Sequence, residues 1–350
     1  MRVAIVGATG NAGTSLLRAL EHEPQVDEII GIARRVPPQA PPKTRWVAAD
    51  VRTSDLTAIF RQADAVVHLA WAIQPSRDLE ALYATNVVGS IRVFRAAAEA
   101  GVEALVYASS VGAYSPGSKE HAVDESWPTH GVPTSFYSRH KAETEGILDD
   151  LEQEHPDLRV VRLRPALIFK KEAAAEQRRL FGGPFLPGFL ARPRLIPLVP
   201  DLERLRFQCV HSYDVGEAYR QALVSDVRGP FNIASAPVLD PKELSVLFHA
   251  RRVPVSERFV RAACDVTWRM RLQPTPPGWV DMGFETPLMD TTRAEKELGW
   301  SPRYSSKEAL LDLLEGMREG SGAATPVLAA KAGGWGRYKE LLTGVGQKEG

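Results

Sequence analysis

The sequence predicts an α/β protein: a doubly wound parallel sheet with a smaller C-terminal α/β part that binds the substrate. Three observations predict it. Residues 2–163 alternate short apolar runs with segments of helical spacing, the rhythm of strand–helix–strand units. Runs such as Ala65–Ala70 (AVVHLA) are apolar almost throughout, which suits strands covered on both faces, not one face left to water. The first run ends in a glycine-rich turn that opens the first helix.

The elements follow in order. Arg2–Val6 is the first strand. Asn11–Glu21 is a helix because Ala12, Leu16, Leu17 and Leu20 fall on one face. Strands are expected at Glu28–Ala33, Arg45–Ala49, Ala65–Ala70 and Glu103–Ala108, with a short helix at Asp55–Arg61 and a long Ala-rich one at Asp78–Ala100. A helix at Phe136–Glu154 and a strand at Leu158–Leu163 continue the pattern. Lys170–Pro200 then reads as loop, and long irregular stretches in a compact enzyme are usually functional, so the substrate side is expected there. Helices are expected at 213–226, 241–250, 256–271 and 305–318, and a strand at 230–234. The Gly/Ala-rich tail from Gly320 is expected to be mobile or loosely docked, outside the enzyme fold. The expected division is 1–168 for a nucleotide, 169–318 for substrate and partly interleaved with the main sheet, and 319–350 as tail.

Composition narrows the function classes. The 350 residues carry 43 Lys+Arg against 43 Asp+Glu, so no global field favours nucleic acid. Hydrophobic content of 44% with 25% charged residues is that of a folded globular chain. Two cysteines, Cys209 and Cys264, are too few for a disulfide framework or a zinc cluster, and no metal is expected. The apolar run at the N-terminus is too short for a secretion signal, and the nearest approach to a spanning segment, Ala63–Ile73, carries Asp64 and His68. A soluble cytoplasmic protein with a small-molecule substrate, and without nucleic-acid or membrane partners, is expected.

Three motifs carry chemistry. Gly7-Ala8-Thr9-Gly10-Asn11-Ala12-Gly13 is G-x-x-G-x-x-G between a strand and a helix; glycines there let backbone approach a pyrophosphate, and the helix N-terminus offers free N–H groups and a positive dipole end. The second strand ends in Ile32-Ala33-Arg34-Arg35, with no acid to hold the ribose hydroxyls of NAD, while Arg34 suits a 2′-phosphate, so NADP is preferred over NAD. Tyr137 and Lys141 form Y-x-x-x-K, which puts both side chains on one helix face; a neighbouring ammonium lowers a phenol's pKa and makes a general acid/base for an alcohol oxygen, and the lysine can also hold the nicotinamide ribose. Ser109 and Ser110 end the fifth strand, and either hydroxyl could bond the reacting oxygen.

These residues together resemble the extended short-chain dehydrogenase/reductase family, also called the NAD-dependent epimerase/dehydratase family. The resemblance covers about residues 1–318 and includes Asp50-Val51, His68-Leu69-Ala70, Asn86 to Gly89, Arg164-Pro165, His211 with Asp214, and Leu298 to Pro302. It implies a Rossmann-type fold. It also implies that Asp50 and Val51 face the adenine, Leu69, Ala70 and Trp71 lie along the cofactor, Asn86 stands near its ribose, and Pro165 passes the nicotinamide. The family spacing to Tyr114 selects Ser110 over Ser109, giving a Ser110-Tyr137-Lys141 set. A homodimer through the long helices is a further family-level expectation.

Departures from the family sharpen the function. Val111-Gly112 follows Ser110 where dehydratases carry an Asp-Glu pair, and Phe169-Lys170-Lys171 replaces the usual turn after Arg164-Pro165. The expected activity is hydride transfer at a carbonyl or secondary alcohol. The alternatives are a sugar-nucleotide epimerase with tightly bound NAD(P), whose diphosphate Arg192, Arg194, Arg204 and Arg206 could meet, and a non-catalytic nucleotide sensor. The apolar stretch Phe181–Leu198 hints at a partly hydrophobic substrate.

Overall fold

The computed structural model describes residues 1–73, 77–181, 196–273 and 275–329. The chain runs through β1 (Arg2–Val6), α1 (Asn11–Leu20), β2 (Glu28–Ala33), β3 (Thr44–Ala48), α2 (Leu56–Phe60), β4 (Ala65–His68), α3 (Leu79–Tyr83), α4 (Gly89–Ala100), β5 (Ala104–Ala108), β6 (Ala122–Val123), α5 (Phe136–Glu154) and β7 (Arg159–Pro165). It continues through β8 (Leu167–Phe169), α6 (Ala174–Phe181), β9 (Leu198–Asp201), β10 (Cys209–His211), α7 (Ser212–Val224), β11 (Gly229–Ile233) and α8 (Pro241–Phe248). The last elements are β12 (Arg251–Pro254), α9 (Glu257–Arg269), α10 (Gly278–Glu285), β13 (Leu288–Met289), α11 (Thr292–Lys296) and α12 (Ser306–Glu319).

Seven strands form one parallel sheet in the order β3-β2-β1-β4-β5-β7-β11. The order reverses between β1 and β4, and in such sheets ligands bind at the carboxyl ends beside the reversal. Register pairs Val6 with His68 and His68 with Tyr107, so β1 and β4 end at one level and β5 ends one residue further on, at Ala108. Side chains alternate across the sheet: Val3 and Ile5 pack with Leu16, Leu20 and Tyr219 on one face, while Ala4 and Val6 pack with Phe60 and Phe94 on the other. Burial on both faces is what the unbroken apolar runs require. Helices α1 and α7 touch at backbone distance, since a Cβ on Gly216 would lie 2.5 Å from the Ser15 carbonyl oxygen, and Ser15 and Ser212 share a 2.7 Å hydroxyl hydrogen bond.

Three expectations change. The single helix at 78–100 is broken: a π-helical turn at Ala84–Val88 separates α3 from α4 and contains the fully buried Asn86. The stretch 170–200 is not all loop, because α6 and β9 occupy its ends; Arg192 and Arg194 lie outside the described residues. The tail after α12 is docked over its described length. Thr325 Oγ1 donates to the Thr9 carbonyl at 2.9 Å, which ties the tail to the glycine turn, and Leu328 is fully buried.

Candidate active site

The glycine turn is shaped by backbone contacts. Gly7 has φ +89°, and a Cβ there would lie 2.7 Å from the Ala70 nitrogen, so a side chain is excluded on both counts. A Cβ on Gly13 would lie 2.5 Å from the Gly7 carbonyl oxygen. Gly10 differs: its φ is −82°, and a Cβ would meet only the Gly7 oxygen, at an ordinary 3.5 Å. Among the described residues no other atom comes within 4 Å of that position, and no side chain caps α1, so its first-turn N–H groups lack a capping partner there. Asn11 donates through Nδ2 to the Ile168 carbonyl at 3.2 Å, and its Oδ1 is buried without a hydrogen-bond partner. Lys170 reaches the same helix from β8, donating to the Asn11 carbonyl at 2.9 Å, Thr14 Oγ1 at 2.7 Å and Ser15 Oγ at 2.9 Å. The turn and these partners fit a dinucleotide pyrophosphate.

At the adenosine end, Arg34 is exposed just past β2. Asp50 lies beside it but is already held by Arg52, with an N–O distance of 2.8 Å, and that pairing brings its carboxyl down to about 2. The acid is thereby neutralised locally and Arg34 remains open to an anion. Val51 is buried against Gly89, where a Cβ would lie 2.7 Å from Val51 Cγ2.

Ser109 and Ser110, adjacent in sequence, do different things. Ser109 Oγ donates to Glu145 Oε1 at 2.5 Å, inside a buried cluster where Glu145 also pairs with Arg162 and Arg164. Ser110 Oγ accepts from the Gly112 N–H at 3.0 Å, and its hydroxyl lies near enough to Tyr137 to favour the phenolate. The Tyr137 ring rests on Gly112, where a Cβ would come within 2.9 Å of Cε1. Ser138 holds this turn from below, accepting from Val132 N–H at 2.6 Å and donating to the Gly112 carbonyl. An apolar cage closes over the phenol: Tyr137 clusters with Leu180, Trp279 and Met282, and Trp71 stands edge-on at a 5.9 Å ring separation.

Lys141 is 2% exposed. Its ammonium donates to the Ala108 carbonyl at 2.6 Å and lies 3.5 Å from the centre of the Trp71 ring. Burial drives its pKa well below the ordinary value, with Glu145 opposing. The expected tuning of Tyr137 by Lys141 is not what governs the phenol in this structure: burial pushes Tyr137 up to about 12, and the neighbouring Ser110 hydroxyl pulls the other way. The lysine is turned toward the strand end and Trp71, which explains the difference. Asn86 is likewise redirected. Its Oδ1 accepts from Ala72 N–H at 2.7 Å and its Nδ2 donates to the Ala72 carbonyl at 3.1 Å, so it sets the course of the Leu69–Ala72 segment through the backbone. His68 is structural: burial pushes it down to about 3 and Nε2 meets Ser90 Oγ at 2.9 Å. Pro165 is buried at the end of β7.

Sequence reasoning missed Trp279, Met282, Gly112 and Lys170. The two cage residues come from α10, whose GWVDMGFE lacks a clear helical period. Among the described residues no group of three metal-ligating side chains occurs, and Cys209 and Cys264 are free thiols.

A model of the NAD dependent epimerase/dehydratase family matches residues 3–234, about two thirds of the chain. The chain belongs to that family. Members with solved structures share the architecture: a UDP-glucose-4-epimerase from Stenotrophomonas maltophila, solved with bound NAD and formylated UDP-arabinopyranose, superposes with a TM-score of 0.69 at 21% identity over 91% of this chain and 98% of that one. An uncharacterized protein of Mycobacterium tuberculosis is 27% identical over 323 residues, which is 91% of this chain and 30% of that protein, so the chain spans less than a third of this relative. The decarboxylating sterol-4-alpha-carboxylate 3-dehydrogenase of Saccharomyces cerevisiae is 30% identical over 178 residues, 48% of this chain and 51% of that enzyme. No described helix is long and apolar enough to cross a membrane.

Proposed function

We propose that this family member is a cytoplasmic NADP(H)-preferring oxidoreductase acting at a ketone or secondary alcohol of a mainly apolar substrate. The observation that carries the reading is the meeting of Ser110 and Tyr137 at Gly112, past the carboxyl end of β5, with Trp71, Leu180, Trp279 and Met282 clustered about the phenol. Residues 1–168 would hold the cofactor and 169–318 most of the substrate. The N–H groups of Asn11 and Ala12 would take the pyrophosphate, with Gly7, Thr9, Gly10 and Gly13 shaping the turn. Arg34 would take the 2′-phosphate, Asp50 and Val51 the adenine side, and Leu69, Ala70, Trp71, Lys141 and Pro165 the nicotinamide half. When bound, the nicotinamide supplies or accepts the hydride.

The protein's own share is positioning and proton transfer. A phenol held at about 12 is protonated at neutral pH and donates to a carbonyl oxygen as negative charge develops there. Ser110 offers the same oxygen a second hydrogen bond, and the apolar cage strengthens both by excluding water. Tyr137→Phe is expected to slow ketone-dependent NADPH oxidation by roughly 100-fold or more while cofactor affinity stays within about twofold. An unchanged rate would overturn the assignment.

A second reading, a sugar-nucleotide epimerase, has one observation behind it. Lys119 is 7% exposed, without an acid partner among the described residues, and burial beside Arg204 and Arg206 lowers it to about 8. Arg206 Nε is also buried without an acceptor. Three cations gathered with one acid beside them, Glu257 at 3.9 Å from Arg204, suit a diphosphate. On this reading UDP binds and Lys119→Ala weakens it about tenfold, and the purified protein carries oxidised cofactor with no net turnover.

A further inference from the structure

We infer that α9 lays the protein on an anionic lipid surface and that its substrate is a lipid-like alcohol or ketone reaching Tyr137 from that surface, an inference that rests on the apolar-substrate reading above. No residue of α9 is buried. Phe259, Ala263, Val266 and Met270 recur at steps of four, three and four, which places them on one helix face. Phe259 is 67% exposed, Val266 53% and Met270 63%, an uncommon fate for large apolar side chains on a single stripe.

The opposite face fixes the orientation. Arg261 Nε and Nη2 grip the Asp281 carboxylate at 2.7 and 3.1 Å, and Cys264 Sγ approaches the Thr275 carbonyl at 3.6 Å. Thr275 Oγ1 in turn donates to the Leu180 carbonyl at 2.8 Å. Asp281 shares α10 with Trp279 and Met282, so α9 is clamped directly behind the cage over Tyr137, with its apolar stripe turned outward.

Charge selects the occupant. The whole chain is neutral, yet residues 251–272 hold six arginines and two acids. Arg258 is exposed along one border of the stripe, where Arg269 pairs with Asp265 at 2.9 Å, and Arg271 follows the helix end. A second copy docked by two-fold symmetry would set this positive border against itself. An apolar stripe bordered by arginines is instead the pattern of a helix lying in a bilayer interface, which needs one apolar face and no spanning length. An absence of membrane partners, expected from the lack of a spanning segment, does not extend to this face.

The test is vesicle co-sedimentation of the full chain with phosphatidylcholine vesicles, with and without phosphatidylglycerol. Binding is expected to the phosphatidylglycerol vesicles, to weaken in high salt, and to fall at least roughly tenfold in a Phe259→Glu/Val266→Glu variant of unchanged melting temperature. Failure of the wild-type chain to bind anionic vesicles, or equal binding by the variant, overturns the inference. So does a shift of the variant from dimer to monomer on sizing with no vesicle binding by the wild type, which would assign the face to a second copy. Turnover of a small water-soluble ketone is expected to be the same in wild type and variant, so that assay judges the Ser110-Tyr137-Lys141 reading separately.

Discussion

Replacing Gly10 by alanine separates a cofactor cradle from an ordinary strand-to-helix turn. The backbone at Gly10 (φ −82°, ψ −176°) is open to any residue, and a Cβ would touch only the Gly7 oxygen at 3.5 Å. Alanine caps a helix less well than glycine, a cost of about 0.5–1 kcal/mol. Its stiffer unfolded chain returns about 0.4–1 kcal/mol. The two nearly cancel, so the melting temperature should stay within about 3 °C. The methyl group would, however, enter the space that the uncapped N–H groups of α1 face. Losing one charge-assisted hydrogen bond there removes about 1.5–3 kcal/mol of binding, which is roughly 10- to 100-fold in Kd. Fluorescence titration with NADPH beside a thermal melt reads both quantities. Gly7→Ala is the contrasting control, since its Cβ would lie 2.7 Å from the Ala70 nitrogen and stability itself should fall. If Gly10→Ala binds NADPH like the wild type, the turn is structural and the cofactor lies elsewhere.

Two further predictions follow from charge. Arg34→Ala should weaken NADP(H) more than NAD(H) in a binding comparison, by roughly tenfold; equal loss for both would refute the 2′-phosphate assignment. Pairing with Arg164 and Arg162 lowers Glu145 to about 2 against burial that acts to raise it. A carboxyl lowered in the folded state contributes stability that is full above its unfolded pKa of about 4.5 and is lost as pH falls toward 2. Glu145→Gln should therefore cost about 3–5 kcal/mol at neutral pH, by leaving the buried Arg164 guanidinium without its anion while Arg162 keeps Asp149 and Glu152, and flatten the acid limb of a pH–stability curve. A variant as stable as the wild type at pH 7 would contradict this account.

What was legible in the sequence was local in the chain. The glycine turn and the Tyr137/Lys141 pair are contiguous, and each motif's spacing dictates its geometry. The strands were readable because burial on both faces leaves an unbroken apolar run. Ser109 and Ser110 could not be told apart from residue type, and the choice of Ser110 rests on the family spacing to Tyr114; Glu145, 36 residues on from Ser109, shows that Ser109 is already engaged. The cage over Tyr137 was hidden for a related reason. Trp279 and Met282 arrive from a short helix far along the chain, and Asn86 meets Ala72 from within a π-helical turn that its local sequence does not announce. Lys119 reads as a surface lysine until the fold encloses it beside Arg204 and Arg206.

The hydrogen bond from Thr325 to Thr9 joins residues 316 apart. At about 5–20 residues per second, roughly 15–60 s of synthesis separate the two partners. The glycine turn leaves the ribosome long before Thr325, and it lacks this contact until that residue has emerged. A nascent chain stalled before Thr325 would expose a glycine turn that is folded but unlatched, and cofactor present during translation would meet that version first.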